Sequence, residues 1–165
     1  MNNYVKYSYG MEPIYATAEG KKALVAKLDD LIARRQGIAE QISRAREFGD
    51  LKENAEYSTA REEQNNLEMQ ISEVEAQLAN IVLFSYAKAD TKAVYIGTKV
   101  TTEVNRKKVV FVITGILESD TDKGYISNVS PIGRALLGKK VGDVAVVKVP
   151  AGTMSYKILK IEKAA

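Results

Sequence analysis

The sequence predicts an α+β protein: an N-terminal antiparallel α-helical coiled-coil hairpin followed by a small α+β domain built on an antiparallel sheet. Three observations predict it. Two runs of apolar residues, spaced alternately by three and four positions, flank one short turn. From Val94 onward that spacing gives way to alternation and short apolar runs. Serine, proline and glycine then punctuate the second half where strands and a short helix should begin and end.

The first seam is Leu24, Leu28, Leu31, Arg35, Ile38, Ile42 and Ala45. The second is Tyr57, Ala60, Gln64, Leu67, Ile71, Val74, Leu78 and Ile81. Thr17 suits the N-cap of the first helix, because its hydroxyl can accept from a free N–H of the first turn. Gly49 suits that helix's end. So short a turn forces the helices antiparallel. Folding the chain at Leu51 sets Ala45 opposite Tyr57, Ile42 opposite Ala60, Ile38 opposite Gln64, Leu31 opposite Ile71, Leu28 opposite Val74 and Leu24 opposite Leu78. Two seams sharing one fold point define a single register. Arg35 and Gln64 interrupt it, either to fix that register, as polar seam residues do, or to meet a partner. At about 1.5 Å per residue the rod is roughly 50 Å long, with little core of its own.

In the second half, 94–104 reads as a strand, 105–108 as a turn, 109–116 as a strand and 119–122 as a loop. Residues 125–128 are strand-like. Ser130 and Pro131 open a helix as cap and first residue, running to Leu137, and Gly138 stops it. Residues 144–149 and 154–161 read as strands joined through Pro150, Ala151 and Gly152.

Composition narrows the chemistry. The 165 residues are 45% hydrophobic and 27% charged, which suits a soluble globular chain. No apolar run approaches the length needed to span a bilayer, and the first ten residues do not read as a secretory signal. We therefore expect a cytoplasmic protein. With no cysteine and no histidine, thiolate and imidazole metal sites and a histidine base are excluded. Hydrolytic chemistry must rest on carboxylates, lysines, tyrosines or a hard cation. The charge is split: residues 17–85 hold nine Lys and Arg against thirteen Asp and Glu, whereas 86–165 hold fourteen against seven. An acidic front and a basic back are unlike a free nucleic-acid binder, which is basic throughout or along one stripe.

Two long segments carry a resemblance. One is Ala45-Arg46-Glu47-Phe48-Gly49-Asp50-Leu51-Lys52-Glu53-Asn54-Ala55-Glu56-Tyr57, continued through Ala60-Arg61-Glu62-Glu63-Gln64. The other runs from Ser127-Asn128-Val129-Ser130-Pro131-Ile132-Gly133-Arg134 through Leu137-Gly138-Lys139-Lys140-Val141-Gly142-Asp143. In that order and at that separation they resemble the coiled-coil tip and the C-terminal signature of the GreA/GreB family of transcript cleavage factors, nearer the GreA type because the rod carries few basic residues. The resemblance spans roughly 14–162.

It implies a division of labour. Residues 14–86 would form the coiled-coil domain with its acidic tip. Residues 87–165 would form an FKBP-like domain that docks on the rim of the secondary channel of bacterial RNA polymerase. Residues 1–13 extend ahead of the matched region without an assigned role. The rod would enter the channel and stimulate cleavage of backtracked nascent RNA, so the chain is an accessory factor and not itself a nuclease. Asp50 and Glu53 match the two acidic tip residues, which help hold the second catalytic Mg2+ and orient the attacking water. Arg46 and Arg61 match basic positions near the RNA 3′ end. Ser130, Pro131 and Ile132 match the docking region.

The physics accommodates these roles. Mg2+ takes oxygen ligands and is held by one or two carboxylates with waters and phosphates, and two metals can clamp the attacking and leaving oxygens of a phosphodiester. Two carboxylates alone make an incomplete cage, so the site should be completed only within the polymerase. On physical grounds alone, Asp50 and Glu53 are solvated turn and N-cap residues; the surrounding motif gives them their other reading. Arg46 and Arg61 could equally pair with acids on the helix surface. Three alternatives compete: a paralogue that occupies the channel and inhibits, a peptidyl-prolyl isomerase and a coiled-coil chaperone. The first should carry an altered tip. The second should carry an aromatic pocket, and the C-terminal half holds only Phe111, Tyr95, Tyr125 and Tyr156 from Val94 onward. The third leaves the acidic turn unexplained.

Overall fold

The computed structural model describes residues 12–47, 55–150 and 152–164. In chain order the elements are β1 (Ile14–Ala16), α1 (Ala18–Glu47), α2 (Ala55–Ala79), β2 (Ile81–Leu83), β3 (Thr98–Val104), β4 (Lys107–Thr114), β5 (Tyr125–Ser127), α3 (Pro131–Leu136), β6 (Val144–Val149) and β7 (Gly152–Lys163). Single 3-10 turns lie at Tyr86–Lys88, Ile116–Glu118 and Thr121–Lys123. The chain divides into two compact units: a hairpin unit, Lys21–Asn80, and a globular unit comprising the chain up to Gly20 together with Ile81 onward. The α+β class read from the sequence is the observed one.

In the hairpin unit the two seams are the buried stripes. Leu24, Leu31, Ile38, Ile42 and Ala45 are buried along α1, and Ala60, Leu67, Ile71 and Val74 along α2. Leu28 and Leu78 are only half-buried. Arg35 turns out of the seam and forks onto Glu68 of the other helix, Nε to Oε1 at 2.8 Å and NH2 to Oε2 at 2.6 Å. That pair falls between the expected Ile38–Gln64 and Leu31–Ile71 levels, so the antiparallel register agrees with the fold point near Leu51. The bond to Glu68 raises the Arg35 guanidinium, and the bond from Arg35 holds the Glu68 carboxyl below its ordinary value. Arg35 thus makes an exposed bidentate contact between facing helices. Among the described residues, no helix is long and apolar enough to cross a membrane.

In the globular unit a five-stranded sheet has the order β5-β4-β3-β7-β6. All its pairs are antiparallel except β4 with β5. Alternate residues of β3, Thr98, Val100, Thr102 and Val104, face the core, where they meet Phe111, Ile113, Leu136, Ala145, Val147, Tyr156 and Ile158. Phe111 and Tyr156 pack edge to face, 5.7 Å between ring centroids.

Several boundaries differ from the sequence expectation, each for a visible reason. The strand expected from Val94 begins only at Thr98, because Gly97 takes a left-handed φ of 92°. Val94 is fully buried but bonds to the segment after α3, accepting from Gly138 N and donating to Lys139 O. The β3–β4 turn shrinks to Asn105 and Arg106, with φ of 50° and 61°, the signature of a two-residue primed turn; Lys107 and Lys108 join the strand. β7 is longer than expected, carrying a bulge opposite Thr101 and Thr102. The pair β1–β2 was not expected. It is parallel, with Ile14 opposite Ile81 and Ala16 opposite Leu83, and joins the residues before α1 to those after α2.

Candidate functional site

Asp50 and Glu53 lie outside the described residues, as does Gly49. The structure describes the helix ends that bracket them: α1 to Glu47 and α2 from Ala55. Among the described residues there is no group of three or more Asp, Glu, His or Cys able to hold a metal ion.

Arg46 and Arg61 lie near those helix ends, on opposite helices, and are exposed. The Arg46 guanidinium carbon sits 5.8 Å from the centroid of the Tyr57 ring, within reach of a cation–π contact. Arg61 NH1 donates to Gln64 Oε1 at 2.6 Å, one helical turn on. Each arginine therefore has a local partner, and neither local contact neutralises its charge. Beside them lies a shallow groove lined by Gln41, Arg44 and Ala45 of α1 and by Glu56, Thr59 and Glu63 of α2. Ala45 and Ala60 are the small, buried residues at this level.

The second candidate region is the turn into α3. Ser130 is its N-cap: the hydroxyl accepts from Gly133 N at 3.0 Å and donates to Ser127 O at 2.8 Å. Ser127 O also accepts from Ser130 N at 3.0 Å. Gly133 is required here, since a Cβ on it would lie 2.0 Å from Ser127 O. Pro131 occupies the first turn and is exposed, whereas Ile132 is half-buried and packs against the core. Pro131 is thus the member of the trio offered to solvent, on a turn held by three hydrogen bonds. Arg134 is exposed and reaches Glu12 at 3.5 Å.

Sequence reasoning passed over Glu118. Its Oε1 accepts from Thr17 N at 2.7 Å and from the Thr17 hydroxyl at 2.9 Å, at the start of α1. One signal pointed to it: Thr17 reads as a cap, yet the position three residues on, where a capping-box acid would sit, is Gly20.

Comparison with known proteins agrees over both halves. The family profile described as "Transcription elongation factor, N-terminal" matches residues 14–83, and that described as "Transcription elongation factor, GreA/GreB, C-term" matches residues 89–163. A protein of Thermoanaerobacter pseudethanolicus named transcription elongation factor GreA is 44% identical over 155 residues, covering 92% of this chain and 99% of the relative. One of the same name from Streptococcus suis is 44% identical over 152 residues, covering 89% and 94%. Among solved structures, that of the GreA factor homolog 1 protein of Thermus thermophilus is 23% identical, covers 92% of this chain and 99% of that one, and has a TM-score of 0.42.

Proposed function

The chain belongs to the GreA/GreB family of transcription elongation factors, and from that premise we propose that it inserts its hairpin into the secondary channel of RNA polymerase and stimulates cleavage of backtracked nascent RNA. What supports this reading is the sequence position of Asp50 and Glu53 between the two helices. Two helices of thirty and twenty-five residues bracket residues 48–54, which include Asp50 and Glu53. A hairpin stabilised along one buried stripe, with mostly polar residues outside it apart from the exposed Val25, Ile32 and Met69, suits delivery of residues 48–54 into a narrow space.

In this reading Asp50 and Glu53 are the catalytic carboxylates. Their oxygens are the hard donors that Mg2+ prefers, and within the polymerase complex they would help hold it beside polymerase carboxylates and RNA phosphate. The ion's contribution is to activate the attacking water and to neutralise charge on the leaving oxygen. The chain's own residues position that carboxylate pair and supply positive charge beside it. Arg46 and Arg61 keep their charge in their local contacts and are the groups for the RNA 3′ end. The turn of Ser130, Pro131 and Ile132 docks on the channel rim: Ser130 fixes it, Ile132 anchors it to the core and Pro131 makes the contact. Such a factor acts where the polymerase is, in the cytoplasm.

The test is cleavage of RNA in stalled, backtracked elongation complexes. The chain should accelerate release of the RNA 3′ segment, and alone should hydrolyse no RNA. RNase activity from rigorously polymerase-free protein would refute the accessory role. Tight polymerase binding without accelerated cleavage would favour an inhibitory paralogue.

A further inference from the structure

The two edges of the five-stranded sheet are finished differently. At one edge Asp120 closes off Tyr125 of β5: Asp120 N donates to Tyr125 O at 2.9 Å, and Asp120 O accepts from Tyr125 N at 2.8 Å. At the other edge β6 has a partner on one side only, β7. Ile158 N of β7 donates to Asp143 O at 2.9 Å, just before β6 begins. Backbone groups alternate between the two sides of an antiparallel strand. The N–H and C=O groups of Ala145 and Val147 therefore face β7, and those of Val144, Val146 and Lys148 face away from it. Among the described residues, that outer row has no hydrogen-bond partner.

The same alternation buries Ala145 and Val147 in the core and leaves Val144, Val146 and Lys148 exposed on the opposite face. Val144 is 46% and Val146 56% exposed. Their cross-strand neighbours on β7 are Lys157 and Ser155. Neither Lys148 nor Lys157 forms an ion pair among the described residues. An open edge is a template for a further strand, and sheets commonly blunt it with charge or proline. Here the blunting is confined to one end, at Lys148 and Pro150. The two valines before it are left open.

We propose that the outer edge of β6 is a docking site for an extended, acidic segment of a partner protein, which adds a further strand to the sheet. Main-chain bonds to Val144, Val146 and Lys148 give the pairing, and side chains select the segment. Apolar residues two positions apart meet Val144 and Val146, and a carboxylate meets Lys148. Charge decides against a second copy of this chain as the occupant. Outward-facing residues pair only with outward-facing residues. In an antiparallel self-pairing Lys148 therefore meets Val144, Val146 or the other copy's Lys148, and none of these carries a carboxylate. Lys157, opposite Val144 on β7, adds a second positive charge that only an acidic segment would offset.

The probe is a blocked peptide of glutamate, threonine, valine, threonine, valine, threonine and glutamate, in that order. Its side-chain pattern reads the same in both directions, so it serves parallel and antiparallel pairing alike. Amide NMR on the full chain, with peptide up to about 1 mM, should show saturable shifts of the Val144, Val146 and Lys148 N–H groups. At about 80% occupancy their exchange should slow about 5-fold, because only the free fraction exchanges. Val146→Pro removes one outward N–H and no bond to β7, and an edge strand tolerates proline where its N–H faces solvent. V146P should keep the fold and lose the binding. Lys148→Glu should weaken the acidic peptide about 5-fold at low salt and favour a version whose glutamates are replaced by lysines. If V146P does not fold, K148E decides by that reversal. Absence of saturable shifts at 144–148 would overturn the proposal, as would unchanged binding in V146P or equal affinity of the wild-type chain for the acidic and the lysine-ended peptides. A dimer in sedimentation that V146P abolishes would give the edge to a second copy and overturn it too.

Discussion

Replacing Ile71 with alanine tests the hairpin seam and the independence of the two units together. Ile71 is 1% exposed, at the same depth as Leu67, Val74 and Leu31. The change deletes three carbons, worth about 0.8 kcal/mol each when buried, and a cavity adds to that. Large-to-small core changes of this kind cost about 2–5 kcal/mol. Two slender helices can close part of the gap, so about 3 kcal/mol is expected here. For a unit of this size each kcal/mol lowers Tm by about 4–8 °C, which predicts a fall on the order of 15 °C. Heating followed at 222 nm reports mainly the long helices. The near-ultraviolet tyrosine signal includes Tyr156, buried in the sheet core. I71A should move the first transition and spare the second. Ile158→Ala, equally buried but under the sheet, should do the reverse. A shift below about 4 °C in I71A, or equal movement of both transitions, would refute the seam or the separation of the units.

Other expectations follow from the globular unit. Ser130→Ala removes the α3 cap and should destabilise this unit by about 1 kcal/mol, read by denaturant titration. Gly133→Ala should cost more, because the new Cβ meets a backbone carbonyl that cannot move aside. Pro131→Ala should leave the fold intact and weaken polymerase binding, read by competition on elongation complexes. The hydrogen bond from Lys123, with an N···O distance of 2.8 Å, holds the Asp120 carboxyl below the usual carboxylate range. Its folded value is depressed, so its contribution is present above the ordinary carboxylate range and fades as pH falls through the lowered value. Lys123→Ala should bring Asp120 back up, seen in a carboxyl-carbon NMR titration.

The hairpin was legible because its signal is local and repeated: roughly every helical turn restates the seam, and the structure buries Leu24, Leu31, Ile38 and Ile42 on one helix and Leu67, Ile71 and Val74 on the other. The α3 cap was legible for the same reason, since Ser130 and Gly133 are three residues apart. The β1–β2 pair was not, because three-residue strands carry no period and pair in parallel only once the chain has gone out along one helix and back along another. The late start of β3 depended on the φ of Gly97, where an apolar run continued through Val94 and Ile96 suggested a longer strand. Glu118 was invisible as a partner for Thr17 across 101 positions, although Gly20 marked the missing local acid. The acidic turn is the opposite case. Its residue types alone describe an ordinary solvated turn, and only the motif around Asp50 and Glu53 assigned them a role.

That assignment is the central claim, and one measurement addresses it most directly. Asp50→Asn with Glu53→Gln keeps side-chain size and removes both charges. Taken as the solvated residues their types suggest, the pair should tolerate the change within about 0.5 kcal/mol, so helicity and polymerase affinity should match the wild-type chain. The cleavage rate of backtracked RNA at saturating factor should collapse, because neutral amides hold Mg2+ poorly against water, with partial recovery at high Mg2+. A double variant that folds, binds polymerase and cleaves at the wild-type rate would contradict the account.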